Sequence, residues 1–298
     1  MTGGVRPDDS GLRPPIALSI AGTDPSGGAG IHADLKTFTA RGVYGTTVIT
    51  ALVAQNTHGV QRVYGIDEDF VTDQVASVAD DLPVDATKTG MLGTRSLVEL
   101  VCRTVDERDL GRLVVDPVMV STSGHRLLDA DAVQAVRTEL VPRADLVTPN
   151  LPEAALLLGD DVAVATDLES MRAQAHELLA RGARAVLLKG GHLETGRMVD
   201  LFVARAGDDT LVREYPQERI DTRNTHGTGC TLSAAITAEL AKGADLEAAV
   251  VAGREYLTRA LASAADWRIS RHPEGANGPV DHLVDLVGTE AEANGGTR

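Results

Sequence analysis

With 298 residues, 43% of them hydrophobic, the chain can bury the core of one large domain or two small ones. A net charge of −15 disfavours nucleic acid as a partner, and no apolar run reaches the ~18–20 residues that span a bilayer. The start "MTGGVRPDDSGLRPP" lacks the basic and apolar regions of a signal peptide. Two cysteines, Cys102 and Cys230, build no disulfide framework, so a cytoplasmic protein is expected.

In chain order, residues 1–14 read as a flexible segment, polar and rich in proline and glycine. "IALSIAG" (16–22) is an apolar run suited to a buried strand, and "IHADLKTFTARG" (31–42) is an amphipathic helix that ends at a glycine. "TTVITALVA" (46–54) and "VDATKTG" (84–90) are the next strands. "RSLVELVCRTVDER" (95–108) is an amphipathic segment that buries Cys102. "RLVVDPV" (112–118), "ADLVTPN" (144–150) and "ARAVLLKGG" (183–191) continue the strands, with the helix "DLESMRAQAHELLARG" (167–182) before the last. A hairpin over 198–220 turns at Gly207-Asp208-Asp209, and two long helices follow over 228–242 and 245–265. Alternating strand and helix predicts an α/β fold, a mostly parallel sheet with helices on both faces. No repeat or composition break marks a linker, so 15–285 is expected to form one domain and 286–298 a disordered tail.

Ligands of parallel sheets bind beyond the carboxyl ends of the strands. Six predicted ends are polar or glycine-rich: Gly22-Thr23-Asp24, Gln55-Asn56-Thr57, Gly90-Met91, Asp116-Pro117, Asn150 and Gly190-Gly191-His192. That clustering predicts a single site. "GTDPSGGAG" is no P-loop, because Gly28 stands where the lysine belongs. Gly28-Ala29-Gly30-Ile31-His32-Ala33 fits a Rossmann-like G-x-G-x-x-A, but the next strand ends in Gln55-Asn56, with no acid to grip a ribose. A small-substrate loop, whose glycines let amides approach a ligand, is the better reading; a flexible turn is the alternative.

"HGTGCT" (226–231) opens the helix "LSAAITAELAKG". The free amides of Gly227, Thr228, Gly229 and Cys230 would converge at the positive end of the helix dipole and hold an anion. The same dipole would lower the Cys230 thiol pKa from about 8.5, whereas a packing role is the alternative. Asp116 and Glu153 each lie just past a strand, where carboxylates and ordered waters suit Mg²⁺ beside phosphates; capping of a loop or helix is the other reading. Lys189, one of only four lysines with Lys36, Lys88 and Lys242, leaves a strand and could reach a phosphate as a point charge. His32, His58, His125, His192 and His226 show no metal-ligand spacing.

From about Ile16 to His282 the chain resembles the hydroxymethylpyrimidine/phosphomethylpyrimidine kinases of thiamine biosynthesis, in the ribokinase-like superfamily. The resemblance rests on "AGTDPSGGAGIHADLKTF", "VITALVAQNTHGV", "KTGML", "DPVMV", "TPNLPEA", "LLKGGH", "NTHGTGCTLSAA" and "GPVDHL". It implies a three-layer αβα sandwich and phosphoryl transfer from MgATP to the pyrimidine alcohol, then to its monophosphate. It implies that Asp34 and Gln55 hold the aminopyrimidine, in a pocket lined by Gly22, Ala29, Val53 and Met91. Asn150, Lys189, Thr225 and Gly227 would serve ATP, with Arg254 near the adenine, where a lysine is common. Asp116 and Glu153 would organise Mg²⁺. Gly227, Gly229 and Cys230 would form the anion hole, with Cys230 in place of the superfamily's usual aspartate base. A homodimer is implied too. One departure is Ser121-Thr122-Ser123-Gly124-His125, where many relatives carry a lysine at the Thr122 position; its loss bears on the second phosphorylation. The alternatives are a pyridoxal kinase on the same scaffold and a sensor that binds pyrimidine without transferring phosphate.

Overall fold

In a computed structural model describing residues 13–119, 128–191 and 198–286, the predicted strands gather into one eight-stranded sheet. Among the described residues the strands are β1 (Ile16–Ala21), β2 (Tyr44–Ile49), β3 (Ala51–Asn56), β4 (Gly59–Gly65), β5 (Ala86–Thr89), β6 (Arg112–Val115), β7 (Leu146–Val147), β8 (Ala185–Leu188), β9 (Met198–Ala206) and β10 (Asp209–Gln217). The order across the main sheet is β10-β9-β8-β7-β6-β5-β1-β2. The strands from β2 to β8 in that order are parallel, and the β9–β10 hairpin closes the other edge antiparallel.

The predicted strand 46–54 is two strands. The chain leaves the main sheet at Thr50, whose amide donates to Ala21 O (3.1 Å) and whose hydroxyl donates to Met91 O (2.7 Å). β3 then pairs antiparallel with β4 as a separate hairpin. Neither glycine nor proline marks the corner, so an unbroken apolar run conceals it. β3 alternates buried Ala51 and Val53 with exposed Leu52 and Ala54, as a strand covered on one face does.

Two layers of helices complete the sandwich. On one face lie α2 (Glu68–Ala79), α3 (Arg95–Glu107), α4 (Ala130–Ala135), α5 (Leu151–Leu158) and α6 (Leu168–Ala180), packed on Leu18, Ile20, Leu113 and Val147. On the other lie α1 (Gly30–Ala40), α7 (Thr228–Ala241) and α8 (Leu246–Ser263), packed on Ala17, Val114, Leu146 and Leu187. Every residue of α7 from Thr231 to Ala241 is buried. Its alanines and the small β1 residues Ala17, Ser19 and Ala21 permit that close approach, which brings the α7 N-terminus to the strand ends. Cys102 is buried in α3 as expected, and burial pushes its thiol up to about 11.

Arg13, within the predicted flexible segment, makes a bidentate ion pair with Asp85 at 2.7 and 2.9 Å. Residues 1–12 of that segment, the tail from 287, the Ser121–His125 departure with Thr122, and His192 lie outside the described residues. No helix among the described residues is long and apolar enough to cross a membrane.

Candidate active site

The carboxyl ends of β1, β5, β6 and β8, the β3–β4 hairpin and the α7 N-terminus surround a cleft of about 740 Å³. The first wall is the β1–α1 loop. Asp24 Oδ1 accepts from the Ser26 amide (2.9 Å) and hydroxyl (2.7 Å), and Oδ2 accepts from the amides of Gly28 (3.1 Å) and Ala29 (2.8 Å). Burial pushes the carboxyl up, but hydrogen bonds from His226 and Ser26 win and hold it well below the usual carboxylate range. The glycine-rich loop is therefore wound around Asp24. Two amides expected to approach a ligand are spent on that carboxylate, which rules out a dinucleotide-type phosphate turn here. Gly22, Ala29 and Gly30 still line the cleft.

The second wall is the first turn of α7. Gly227 caps the helix at φ 77°, without a side-chain cap, and a Cβ there would run into the carbonyl oxygen of Gly28. Only glycine suits that left-handed, crowded position. The first-turn amides face no capping side chain, as an anion cradle requires. A Cβ on Gly229 would stand 3.4 Å from Lys189 Nζ and 3.7 Å from Asp116 Oδ2, so the turn lies directly over that ion pair.

Lys189 Nζ is 3.3 Å from Asp116 Oδ1 and 4.0 Å from Glu153 Oε2. Thr148 and Ser233 hydroxyls donate to Asp116, each at 3.2 Å. Burial pushes Asp116 up, yet Lys189 and Lys88 outweigh it and keep the carboxyl below its ordinary value. Burial, aided by the Asp116 charge and opposed by Lys189, pushes Glu153 up to about 7. The pair thus has one firmly ionised member and one near neutrality. Glu153 also closes a capping box with Asn150: each backbone amide donates to the other side chain at 2.8 Å. Glu153 therefore caps α5 and also lines the cleft.

Cys230 lines the cleft, half-buried, but its thiol is not activated. Burial pushes it up to about 11; Lys88 and the Gly30 amide oppose this, while Asp34 and Asp116 reinforce it. The expected lowering by the helix dipole is overturned by desolvation and two nearby carboxylates.

Asp34 is not at the cleft wall. Its side chain is 0% exposed, accepting from Ser19 Oγ at 2.6 Å and from the equally buried Lys88 Nζ at 2.9 Å. Both oxygens are used beneath the floor, so direct contact with a pyrimidine is corrected to a supporting position. The other predicted pocket residues, Val53, Gln55 and Met91, do line the cleft, as do Asn150, Thr225 and Arg254. Thr225 is held by Asn277 Oδ1, which accepts from its amide (2.9 Å) and hydroxyl (3.2 Å). Arg254 reaches the cleft with its guanidinium already engaged: it lies over the Tyr215 ring at 4.8 Å and donates to Asp200 Oδ2 at 2.9 Å.

Asp24, His226 and Lys88 escaped assignment from sequence. A lysine inside the buried strand "VDATKTG" demands a buried counter-charge, and that signal was available. The strand end and the helix-start turn put Asp24 and His226 near the site, but their pairing carries no local mark, because the two lie 202 residues apart.

A family model described as phosphomethylpyrimidine kinase matches residues 24–278. The hydroxymethylpyrimidine/phosphomethylpyrimidine kinase of Rhizobium meliloti is 52% identical over 269 residues, covering 90% of this chain and 97% of that one. Among solved structures, Bacillus subtilis pyridoxal kinase in an ADP complex is 40% identical with a TM-score of 0.80, covering 91% of this chain and 98% of its own. Staphylococcus aureus pyridoxal kinase with AMP-PCP and pyridoxal is 31% identical with a TM-score of 0.78, covering 91% and 94%. The sandwich is the ribokinase-like fold of these kinases, and from the match of sequence, fold and cleft the chain belongs to the phosphomethylpyrimidine kinase family.

Proposed function

We propose that the chain transfers a phosphoryl group from ATP to 4-amino-5-hydroxymethyl-2-methylpyrimidine, and a second to the monophosphate so formed, supplying the pyrimidine of thiamine. The observation that carries this reading is the meeting, in one cleft, of the Gly227–Cys230 turn, Lys189 and Asp116 with Gln55, Val53 and Met91. One part can hold phosphates and the other an aromatic nitrogen ring.

In the proposed complex the ATP phosphates lie over the α7 turn, where amides and the helix dipole favour negative charge, and Lys189 adds a point charge. Asn150 and Thr225 flank the nucleotide. Asp116 and Glu153 fit Mg²⁺, a hard cation that uses one or two carboxylates and fills its shell with waters and phosphates; Asp116 is held ionised for the purpose. When bound, that ion would offset the charge of the transferring phosphoryl group. Transfer passes through a loose transition state, so the protein's work is alignment, charge neutralisation and exclusion of water. Val53, Gln55 and Met91 hold the ring so that its alcohol meets the Gly229–Cys230 turn. In the fraction of molecules that carry it as thiolate, Cys230 takes the alcohol's proton late in the reaction and becomes the thiol.

Because that thiol is protonated across the neutral range, a reaction that draws on the thiolate gives a kcat that climbs with pH toward the thiol's value near 11. Cys230→Ala is expected to flatten that climb and to lower kcat by about 10²–10⁴-fold, the usual share of general base catalysis, with ATP affinity little changed. A flat wild-type profile, or an unaltered kcat in the variant, leaves Cys230 a packing residue.

A second substrate, pyridoxal, has one observation in its favour: both solved neighbours described above are pyridoxal kinases, and pyridoxal also offers a primary alcohol on an aromatic nitrogen ring. Comparing kcat/KM for the pyrimidine alcohol, its monophosphate and pyridoxal decides the matter; preference for pyridoxal overturns the reading. We place the enzyme in the cytoplasm as a homodimer. Exposed Tyr44, Leu52, Val63, Tyr64 and Phe70, on β2, the β3–β4 hairpin and α2, offer apolar surface for a second copy, which the mass in solution tests.

A further inference from the structure

His226 Nε2 lies 2.8 Å from Asp24 Oδ2 and 3.1 Å from the side-chain amide of Gln55. An imidazole nitrogen presents either a hydrogen or a lone pair in the ring plane, never both. Asp24 is an ionised carboxylate and can only accept; its oxygens already take hydrogen bonds from Ser26, Gly28 and Ala29. The hydrogen in the short contact must therefore sit on His226 Nε2, in the neutral ring and the imidazolium alike. That nitrogen has no lone pair left for a donor. The Gln55 atom beside it must then be the amide oxygen, since the two ends of an amide are told apart only by the partners they keep. Gln55 Oε1 shares the Nε2 hydrogen with Asp24. Its NH₂ is left at the cleft, where that end of the amide makes no hydrogen bond among the described residues.

We propose that His226, held by Asp24, is a positioning residue that locks Gln55 with its NH₂ toward the ligand, so that this wall accepts a lone pair and rejects a donor. The inference rests on the pyrimidine reading of the cleft and sharpens it. An aminopyrimidine carries both ring nitrogens, which accept, and an exocyclic amine, which donates. Without His226 a glutamine could serve either by turning over. With it, a ring nitrogen faces Gln55 and the amine faces elsewhere, which fixes how the ring lies in the pocket.

Two substitutions in the full chain separate this role from a structural one. In His226→Gln, an amide nitrogen can stand where Nε2 stood and donate to both Asp24 and Gln55. In His226→Leu nothing donates, and Gln55 is free to turn over. Both are assayed with ATP, the pyrimidine alcohol, and two analogues in which one ring nitrogen at a time is replaced by C–H. For one analogue, wild type is expected to lose about 10–100-fold in kcat/KM, the cost of leaving a buried donor unpaired. His226→Gln keeps that penalty. His226→Leu reduces it to less than about threefold, with the KM for ATP unchanged, because a turned amide no longer presents its donor. If the leucine variant does not fold, His226→Asn, whose amide is too short to reach Gln55, takes its place with the same expectation. A leucine or asparagine variant that retains the full penalty overturns the proposal, as does a wild type indifferent to both analogues. A chain that does not phosphorylate the parent alcohol overturns the functional reading and this inference with it.

Discussion

Lys189→Met is expected to lower kcat by about 10²–10³-fold, the usual loss when one preorganised donor to a developing charge is removed. Methionine keeps most of the side chain's length and removes only its charge. Lys189 follows β8, and its amide donates to Pro149 O at 2.8 Å, so the backbone is anchored and the ammonium has little freedom to wander. Burial works against the charge, but Asp116 and Glu153 overcome it and hold the lysine above its ordinary value. It is a permanent cation, at 3.3 Å from Asp116 Oδ1, under the turn that would carry the phosphates. Without it, Asp116 keeps only the more distant help of Lys88 against burial, and the nucleotide loses the cation that stands beneath the α7 turn. Lys189→Arg is expected to rescue little, because a planar fork does not fit a space cut for a compact ammonium. Steady-state kinetics with saturating ATP provides the check. An activity within tenfold of wild type would remove Lys189 from the reaction.

Lys88→Met is expected to destabilise the fold by about 3–5 kcal/mol, the cost of leaving one member of a buried ion pair alone. Lys88 and Asp34 are both 0% exposed and 2.9 Å apart, linking β5 to α1 directly beneath the cleft floor. Asp34 already feels burial pushing its carboxyl up, with Lys88 and Ser19 as the compensation. Remove the ammonium and the carboxylate must take a proton or open the floor. The double variant Lys88→Met, Asp34→Leu is expected to recover most of the loss, since an apolar pair of similar volume is often neutral or better. Denaturant melts of the single and double variants decide this. A single variant as stable as wild type would mean that the pair contributes nothing. The sign of the pH dependence follows from Lys88: burial lowers it, but Asp34 and the nearby Cys230 and Asp116 raise it above its ordinary value. Lys88's share of the stabilisation is therefore complete below about pH 10.4 and is lost as pH rises through its folded value. Asp34, held above its ordinary value by burial, works the other way and costs stability once pH has risen past its unfolded value of about 3.9.

The sequence by itself determined the alternation of strands and helices, the strand ends that carry the site, and the anion cradle at Gly227–Cys230. Each depends on local spacing: apolar periodicity, a glycine at a helix boundary, or free amides in a helix's first turn. What it left open depends on partners far along the chain. Asp34 needed its neighbour Lys88, 54 residues on, before a substrate contact could be told from a buried ion pair. Asp24 needed His226, 202 residues on, before the carboxylate at the centre of the glycine-rich loop could be told to hold a cleft histidine. Arg254 needed Tyr215 and Asp200 before its guanidinium was known to be occupied. The corner at Thr50 is set by Ala21, at the end of β1, and Met91, just past β5. At Cys230 the local signal even pointed the wrong way. The helix dipole acts on the thiol within one turn, but burial under two carboxylates is a property of the packed molecule, and desolvation outweighs the dipole there. Local spacing could mark where charge would be held; only the tertiary structure decided which groups are charged, which are spent on one another, and which are left facing the cleft.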